Sequence, residues 1–185
     1  MAAITVWTKQ HISVLETLER EGRYVARRQN IARDLGADAP IVFEAYDWLA
    51  RHSPDAARKP ADADFPVWLS FSGETAMLPS EGTALLELAV DESLITRVNI
   101  AKWGAILNYS YIPRDRQDAL RHRALLQAYG VSDAKAYMTQ FYPHIKREII
   151  DSWQRLFDDG IQLGGPAEYG LIWEMRKEWI IGRTP

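Results

Sequence analysis

The sequence predicts an α+β fold in which a small, mostly antiparallel sheet, continuous or split, packs against helices, with a helical C-terminal half. First, several short segments alternate apolar and polar residues, most clearly "TALLELAV" at 83–90, as half-buried strands do. Second, apolar residues recur at helical spacing after Pro113. Third, strands and helices follow no regular βαβ rhythm, which argues against a parallel sheet. Because 47% of the 185 residues are hydrophobic, we expect one domain over residues 1–185.

The N-terminal segment predicts a strand followed by a helix. Ile4–Trp7 alternates like a short strand, and Thr8 can cap a helix that runs over Lys9–Glu21. Gly22 ends this helix, because glycine readily adopts the positive φ of a C-terminal cap. A second short strand is predicted at Tyr24–Val25.

The middle of the chain predicts a buried helix and two strands. The helix covers "ADAPIVFEAYDWLARH" at 37–52, with Asp38 as its N-cap, and it is apolar on two sides, as buried helices are. A loop rich in proline, alanine and aspartate follows at 53–66. The strands are "VWLSF" at 67–71 and the alternating segment described above.

The C-terminal half predicts helices with recognisable ends. Asn99 caps a short helix, "PRDRQDALRHRALLQAYG" at 113–130 forms the next, and Ser132 caps a third. Pro143 interrupts the apolar stripe of that third helix, so we expect a kink or a restart there. Residues 168–181 fit either a strand or a helix, and their aromatic content favours a strand in the first half.

Charge and composition exclude several functional classes. The net charge of −3 provides no field that would draw the chain to nucleic acid or anionic lipid. The absence of cysteine excludes disulfides, thiolate metal sites and a cysteine nucleophile, and four scattered histidines do not predict a zinc site. No apolar run approaches the ~20 residues that span a bilayer, and the N-terminus lacks a secretion signal. We expect a bacterial cytoplasmic protein without metal or membrane.

Common motifs for nucleotide binding and hydrolysis are missing. The sequence contains no Walker loop, no G-x-G-x-x-G after a strand, no G-x-S-x-G and no H-E-x-x-H. These absences remove most P-loop ATPases, Rossmann dehydrogenases, α/β-hydrolases and zinc proteases from consideration.

Two arginine clusters are candidate ligand sites. The first consists of Arg20, Arg23, Arg27, Arg28 and Arg33. Guanidinium forks suit phosphates because they donate two parallel hydrogen bonds, but such runs also form solvated surfaces with local salt bridges. In the second, "RDRQDALRHR" at 114–123, acids and bases lie at near-helical spacing, which predicts that they pair with each other.

A few other polar residues are candidates for chemistry. Glu174 lies between Trp173 and Met175, where partial desolvation would tune it for acid–base or electrostatic work; on a strand it can equally face water. Tyr46 and Asp47 interrupt the buried helix, either as hydrogen-bonded core members or as ligand contacts.

Four stretches together resemble a known bacterial family. They are "ITVWTKQH", "FEAYDWLARH", "LLELAVDESLI" and "LIWEMRKEWI", and the likeness to the family named domain of unknown function 3841 spans nearly the whole chain. This resemblance implies the order strand, helix, buried helix, strand and terminal Trp-Glu segment. It implies no activity.

A second resemblance is to the ADP-ribosyltransferase superfamily. Those enzymes bind NAD in the cleft of a split sheet, with a polar residue ending the first strand, a tyrosine in mid-chain and a glutamate on a late strand. The matching positions are Thr8 or Gln10, then Tyr46, then Glu174. The resemblance implies NAD as cofactor, stacking of Tyr46 on nicotinamide and stabilisation of the oxocarbenium-like state by Glu174. The resemblance also implies that Arg23 or Arg27 binds the pyrophosphate of NAD.

The function predicted from the sequence is therefore an NAD-binding enzyme of ADP-ribosyltransferase type. The alternatives are a non-catalytic protein-binding module with exposed aromatic anchors and nucleic-acid binding through the arginine clusters, against which the acidic balance argues. Thr8 and Gln10 form the lip of the site in the first case. Otherwise Thr8 is a helix cap, and Gln10 and His11 lie in a solvated first turn. The enzyme hypothesis expects the two ends of the chain to lie as neighbouring strands around a small crevice.

Overall fold

The computed structural model describes residues 2–35 and 39–184, and the chain divides into two compact units. The sheet unit comprises Met1–Arg97 and Glu168–Pro185, and the helical unit comprises Val98–Ala167. The predicted N-cap Asp38 lies outside the described residues. No helix within the described ranges is both long and apolar enough to cross a membrane.

The strands form one six-stranded antiparallel sheet and one short ribbon. They are β1 (Ala3–His11), β2 (Arg23–Tyr24), β3 (Val67–Ser70), β4 (Thr83–Asp91), β5 (Thr96–Asn99), β6 (Glu168–Ile172), β7 (Met175–Arg176) and β8 (Ile180–Thr184). The sheet is open and has the order β5-β6-β3-β1-β4-β8, while β2 and β7 pair with each other. The predicted α+β class with a mostly antiparallel sheet is confirmed.

The helices lie between these strands in the chain. In the sheet unit they are α1 (Ile12–Glu21), α2 (Arg28–Leu35) and α3 (Ala39–His52). In the helical unit they are α4 (Ile100–Leu107), α5 (Arg116–Tyr129), α6 (Asp133–Met138) and α7 (Pro143–Ser152).

The first strand is longer than the sequence predicts. β1 pairs with β4 along its whole length, from Ala3 opposite Asp91 to His11 opposite Thr83. The ladder continues through the polar residues, so α1 begins only at Ile12, and the imidazole of His11 caps it by accepting from the amide of Ser13. The prediction that Thr8 caps this helix is therefore wrong, because Thr8 lies inside the ladder.

The alternating apolar residues of β4 form part of the core of the sheet unit, as predicted. Ala84, Leu86, Leu88 and Val90 are fully buried, while the residues between them are partly exposed. The apolar face of α1 is buried in the same core cluster. Burial of this kind stabilises a fold by roughly 25 cal/mol per Å² of apolar surface.

The ends of the helices in the helical unit follow the predicted signals. Asn99 caps α4 by accepting from the amide of Lys102, and Ser132 caps α6 by accepting from Lys135. The predicted interruption at Pro143 is a restart, since α6 ends at Met138 and α7 begins at the proline. Phe141 leaves the predicted apolar stripe and is 75% exposed, because it lies in the connection between the two helices.

The terminal segment forms strands, as its aromatic alternation indicates, with a 3-10 turn at Lys177–Trp179 between β7 and β8. The expectation that both chain ends form neighbouring strands is wrong. β3 lies between β1 and β6, and β4 lies between β1 and β8. Because β3 and β4 pair with the two edges of β1, the C-terminal strands β6 and β8 pair with the outer edges of β3 and β4.

Candidate functional site

A polar cavity of about 360 Å³ opens in the sheet unit. The end of α1, β2, the start of α2 and the loop after α3 form its wall. Its charged lining comprises Arg20, Glu21, Arg23, Arg27 and Asp62. Three guanidinium groups and two carboxylates give this wall a net positive charge, which favours an anionic ligand.

The local backbone conformation places Arg23 in the wall of this cavity. Gly22 has φ 72°, and its amide donates to the carbonyl of Leu18, so the chain leaves α1 sharply through a conformation that glycine tolerates best. Arg23 then enters β2, where it pairs with Arg176 of β7. This ribbon joins the first arginine cluster to the terminal segment that carries Glu174.

The guanidinium of Arg23 binds two carboxylates from distant parts of the sequence. Its Nη1 and Nη2 donate to the two carboxylate oxygens of Asp62 at 2.9 and 3.1 Å, and its Nε donates to Glu174 Oε2 at 2.5 Å. Arg27 lies 3.7 Å from the same Asp62 carboxylate. Hydrogen bonds with Asp62 and then Glu174 raise the pKa of Arg23 above its ordinary value, and Arg23 lowers the pKa of Asp62.

Glu174 is ionised and held by two arginines. Its Oε1 accepts from Arg176 Nε at 2.8 Å, and its other oxygen accepts from Arg23. Partial burial raises the pKa of Glu174, but the hydrogen bonds from Arg23 and Arg176 outweigh that effect and leave the pKa below its usual range. A carboxylate in this state can stabilise positive charge, whereas it is poorly suited to donate a proton at neutral pH.

Thr8 and Gln10 lie together on β1. The Thr8 hydroxyl is buried and donates to the carbonyl of Trp68 at 2.7 Å, and Gln10 Nε2 donates to Thr8 Oγ1 at 2.8 Å. The Thr8 hydroxyl thus connects β1 to the neighbouring strand β3, while the contact of Gln10 stays within β1.

Tyr46 lies on α3 in aromatic surroundings. Its ring makes edge contacts with Phe65 and Trp68, with centroids 5.3 and 6.1 Å apart. Burial raises the pKa of Tyr46 to about 12, against an opposing hydrogen bond with Trp68. Next to it, Asp47 pairs with Arg28.

The structure therefore sorts the predicted site residues into two groups. Arg23 contacts Glu174 directly and shares Asp62 with Arg27. Gln10 contacts Thr8 on β1, and Thr8 and Tyr46 each contact Trp68. The described part of the cavity wall includes Arg23 and Arg27, but not the other four. No metal-binding group of three or more His, Asp or Glu side chains occurs within residues 2–35 and 39–184.

The chain matches the family model described as Domain of unknown function (DUF3841) over residues 5–181. The chain belongs to this family. The predicted membership is thus confirmed, and the resemblance to ADP-ribosyltransferases stays a prediction. No curated protein and no solved structure matches the chain.

Sequence reasoning missed two members of the Arg23 network in this DUF3841 protein. Asp62 lies in the loop 39 residues after Arg23, and the only available signal was the repeated aspartate in "ADAD" just before β3. Arg176 was passed over although it stands two residues from Glu174. A strand places residues two apart on the same face, so this spacing could have indicated the pair.

A second polar network in the helical unit was also largely missed. Asp118, only 5% exposed, accepts hydrogen bonds from the Tyr111 hydroxyl, the Arg114 amide, Arg121 and Arg155. The predicted pairing inside 114–123 is confirmed for Arg121 with Asp118. Burial raises the pKa of Asp118, but these donors outweigh it and hold the pKa well below its usual range.

His122 joins three helices in the same network. Its Nδ1 lies 2.8 Å from Glu148 Oε1 on α7, and its Nε2 lies 2.7 Å from Asp133 Oδ1 on α6. The ring stacks on Tyr111 with a centroid distance of 4.0 Å. Burial lowers the pKa of His122, but the two carboxylates outweigh it and raise the pKa above its ordinary value. Because its two ring nitrogens contact carboxylates on α6 and α7, this histidine connects α5 to both helices.

Proposed function

We propose that this protein binds NAD with its pyrophosphate at Arg23 and Arg27, and that it transfers ADP-ribose with Glu174 as the catalytic carboxylate. The observation that carries the proposal is the position of Arg23. Its guanidinium lines the cavity and also donates to Glu174. It thereby connects a candidate anion site to the ionised carboxylate that the reaction requires.

The chemistry uses the charge of Glu174 rather than its proton. The bond between nicotinamide and ribose breaks, nicotinamide leaves with the bonding electrons, and positive charge develops on the ribose. An ionised carboxylate stabilises that charge, and an acceptor nucleophile then bonds to the ribose and loses its proton. The lowered pKa of Glu174 keeps the carboxylate ionised for this role at neutral pH.

Thr8, Gln10 and Tyr46 belong to the proposal as the nicotinamide side of the site. Thr8 and Gln10 would hold the ribose, and Tyr46 would stack on the base. All three already have protein contacts, so the ligand has to share or replace them. The phosphate side therefore has the stronger structural support.

Thermal unfolding with and without millimolar NAD tests the proposal. A ligand bound only by the folded state raises stability by about 2.7 kcal/mol at a hundred times its Kd, so the midpoint should rise for the wild type. Glu174→Gln should keep this rise, since the side-chain oxygen of Gln can still accept from Arg23, and should lose nicotinamide release at least about a hundredfold.

The matched control is Glu178→Gln. Glu178 lies in the adjacent 3-10 turn, is 66% exposed and stands 3.9 Å from Arg176, so its loss removes the same charge nearby and should leave nicotinamide release unchanged. A wild type that shows neither stabilisation by NAD nor release of nicotinamide contradicts the proposal.

A second candidate, a protein-binding module, is favoured by exposed apolar side chains. In the sheet unit Met77 and Leu78 are 66% and 82% exposed, and in the helical unit Met138 and Phe141 are 65% and 75% exposed. Exposed apolar patches are used as anchors at interfaces. Sedimentation at increasing concentration tests this candidate, because self-association through these residues would be weakened by Leu78→Ser or Phe141→Ser.

A further inference from the structure

The carboxylate of Asp62 contacts the arginines of the cavity in the way that a bound anionic ligand would. It meets the outer edge of the Arg23 guanidinium, one oxygen on each terminal nitrogen, at 2.9 and 3.1 Å. This end-on fork is also the arrangement in which arginine binds two oxygens of a phosphate. Arg27 approaches the same carboxylate at 3.7 Å, as a second cation would approach an anionic ligand.

We propose that Asp62 is an internal occupant of the anion site, which a phosphate-bearing ligand displaces on binding. The proposal deepens the function proposed above and rests on the same ligand site. In the unliganded protein the carboxylate offsets part of the positive charge of Arg23 and Arg27, and a ligand gains only the difference between its own interaction and that of Asp62.

The contact of Glu174 with Arg23 is compatible with this exchange. Glu174 accepts from Nε, the guanidinium nitrogen that is bonded to the aliphatic part of the side chain. Asp62 accepts from the two terminal nitrogens. Departure of Asp62 frees two parallel donors while Glu174 continues to orient the group. The ligand therefore meets an arginine that is already positioned.

The loop around Asp62 can release this side chain without unfolding. Ala63 is buried and its amide donates to the carbonyl of Pro60 at 3.1 Å, while the next two amides, of Asp64 and Phe65, both donate to Ala26. These backbone contacts do not involve the Asp62 carboxylate, which is 43% exposed. Exposed ion pairs contribute little to stability, so rotation of the side chain into solvent costs little.

The exchange gives the site a preference among anions. A monocarboxylate such as acetate only replaces one single negative charge by another. Pyrophosphate carries more charge and more acceptor oxygens, so it can contact Arg23 and Arg27 together. The internal carboxylate thus favours pyrophosphate over singly charged anions, by the modest amount that its own exposed ion pair contributes.

Calorimetric titration of inorganic pyrophosphate into the wild type, Asp62→Asn and Glu19→Gln tests the proposal. Glu19 lies on α1, is not among the described residues that line the cavity, and pairs with Lys177, so its variant removes one negative charge without releasing a cavity arginine. Asp62→Asn should tighten binding roughly fivefold, the change expected for release of one exposed ion pair. Glu19→Gln should change it less than about twofold.

Equal tightening in both variants would show that the effect comes from net charge alone, and this would overturn the proposal. Unchanged or weaker binding in Asp62→Asn would overturn it as well. The ¹³C resonance of the Asp62 carboxyl in the wild type provides a readout that does not depend on folding of a variant. It should shift toward that of a solvent-exposed aspartate as pyrophosphate saturates the site, and a constant resonance at saturation contradicts displacement.

Titration with NAD separates this proposal from the proposed function. If Asp62→Asn binds pyrophosphate more tightly than the wild type while neither protein binds NAD, the displacement model stands and the NAD hypothesis fails. If the wild type binds NAD and Asp62→Asn shows no gain for either anion, only the displacement model fails. An absence of pyrophosphate binding in all three proteins contradicts displacement outright.

Discussion

The two units of this protein each contain a network of arginines and carboxylates, and the networks differ in exposure. Around Arg23 in the sheet unit, both Asp62 and Arg23 side chains are more than one third exposed. Around Asp118 in the helical unit, the central carboxylate is 4% exposed. An exposed ion pair beside a cavity can exchange a partner for a ligand, whereas a buried carboxylate without its donors is costly.

The hydrogen bonds of the two networks lead to the same distinction. Both ring nitrogens of His122 face carboxylates, and the oxygens of Asp118 accept from side chains and backbone on several elements. In the sheet unit, the fork of Arg23 contacts the carboxylate of Asp62, which lies in a loop and is 43% exposed. We therefore place the proposed ligand site at the Arg23 network, and we expect the Asp118 network to stabilise the helical unit.

The largest expected effect is from Asp118→Ala. It leaves the guanidinium of Arg155 and the hydroxyl of Tyr111 without their carboxylate partner. We expect a loss of about 3 kcal/mol in the free energy of unfolding, the lower end of the range for a broken buried pair, because Arg121 reaches solvent. Urea unfolding followed by tryptophan fluorescence measures it.

Asp151→Ala is the control for that experiment. Asp151 is exposed on α7 of the same unit, and surface substitutions usually change stability by less than about 0.5 kcal/mol. Equal losses in the two variants would contradict the contrast between buried and exposed carboxylates.

The next effect is a pH dependence from His122. Its folded-state pKa is raised, so the stability that it contributes is fully present below the unfolded pKa of about 6.5. This contribution is lost as pH rises through the folded-state pKa, because a neutral imidazole cannot donate to both Asp133 and Glu148. The loss is about 1.4 kcal/mol for every pH unit that separates the two pKa values.

Stability curves from about pH 6 to about pH 9 in the wild type and His122→Gln measure this dependence. The groups that contact the ring are Asp133, Glu148 and Tyr111, and Arg121 donates to Tyr111 and Glu148 beside it. The variant should show a flatter curve. His144→Gln removes an exposed histidine of the same unit and should retain the wild-type slope; a wild-type slope in His122→Gln would refute the assignment.

The sequence predicts local features of this fold well and distant pairings poorly. The caps at Asn99 and Ser132 and the restart at Pro143 each depend on residues within one helical turn, so their signals are visible in the sequence. The contact between Arg23 and Glu174 spans 151 positions. It arises from the pairing of β2 with β7, which no local pattern encodes.

The same reason explains the error at the first strand. Lys9, Gln10 and His11 are polar and resemble the start of a helix, but in the sheet they pair with Leu85, Ala84 and Thr83. The ladder with β4 overrides the local preference, as tertiary pairing often does. The sequence consequently indicated only part of the Arg23 network, namely the arginine cluster and Glu174.

The smallest expected effect concerns the exposed network itself. Arg23→Met should lower the free energy of unfolding by no more than about 1 kcal/mol, because the side chain is 38% exposed and salt and water screen its ion pairs. Repeating the urea unfolding at about 1 M NaCl, where the Debye length is about 3 Å, should remove most of this cost while leaving the cost of Asp118→Ala nearly unchanged. Chemical denaturation at both salt concentrations therefore compares the two networks directly. A cost of Arg23→Met that equals that of Asp118→Ala and persists in salt would show that Arg23 is a structural residue, and the exchange of Asp62 for a ligand would then lose its physical basis.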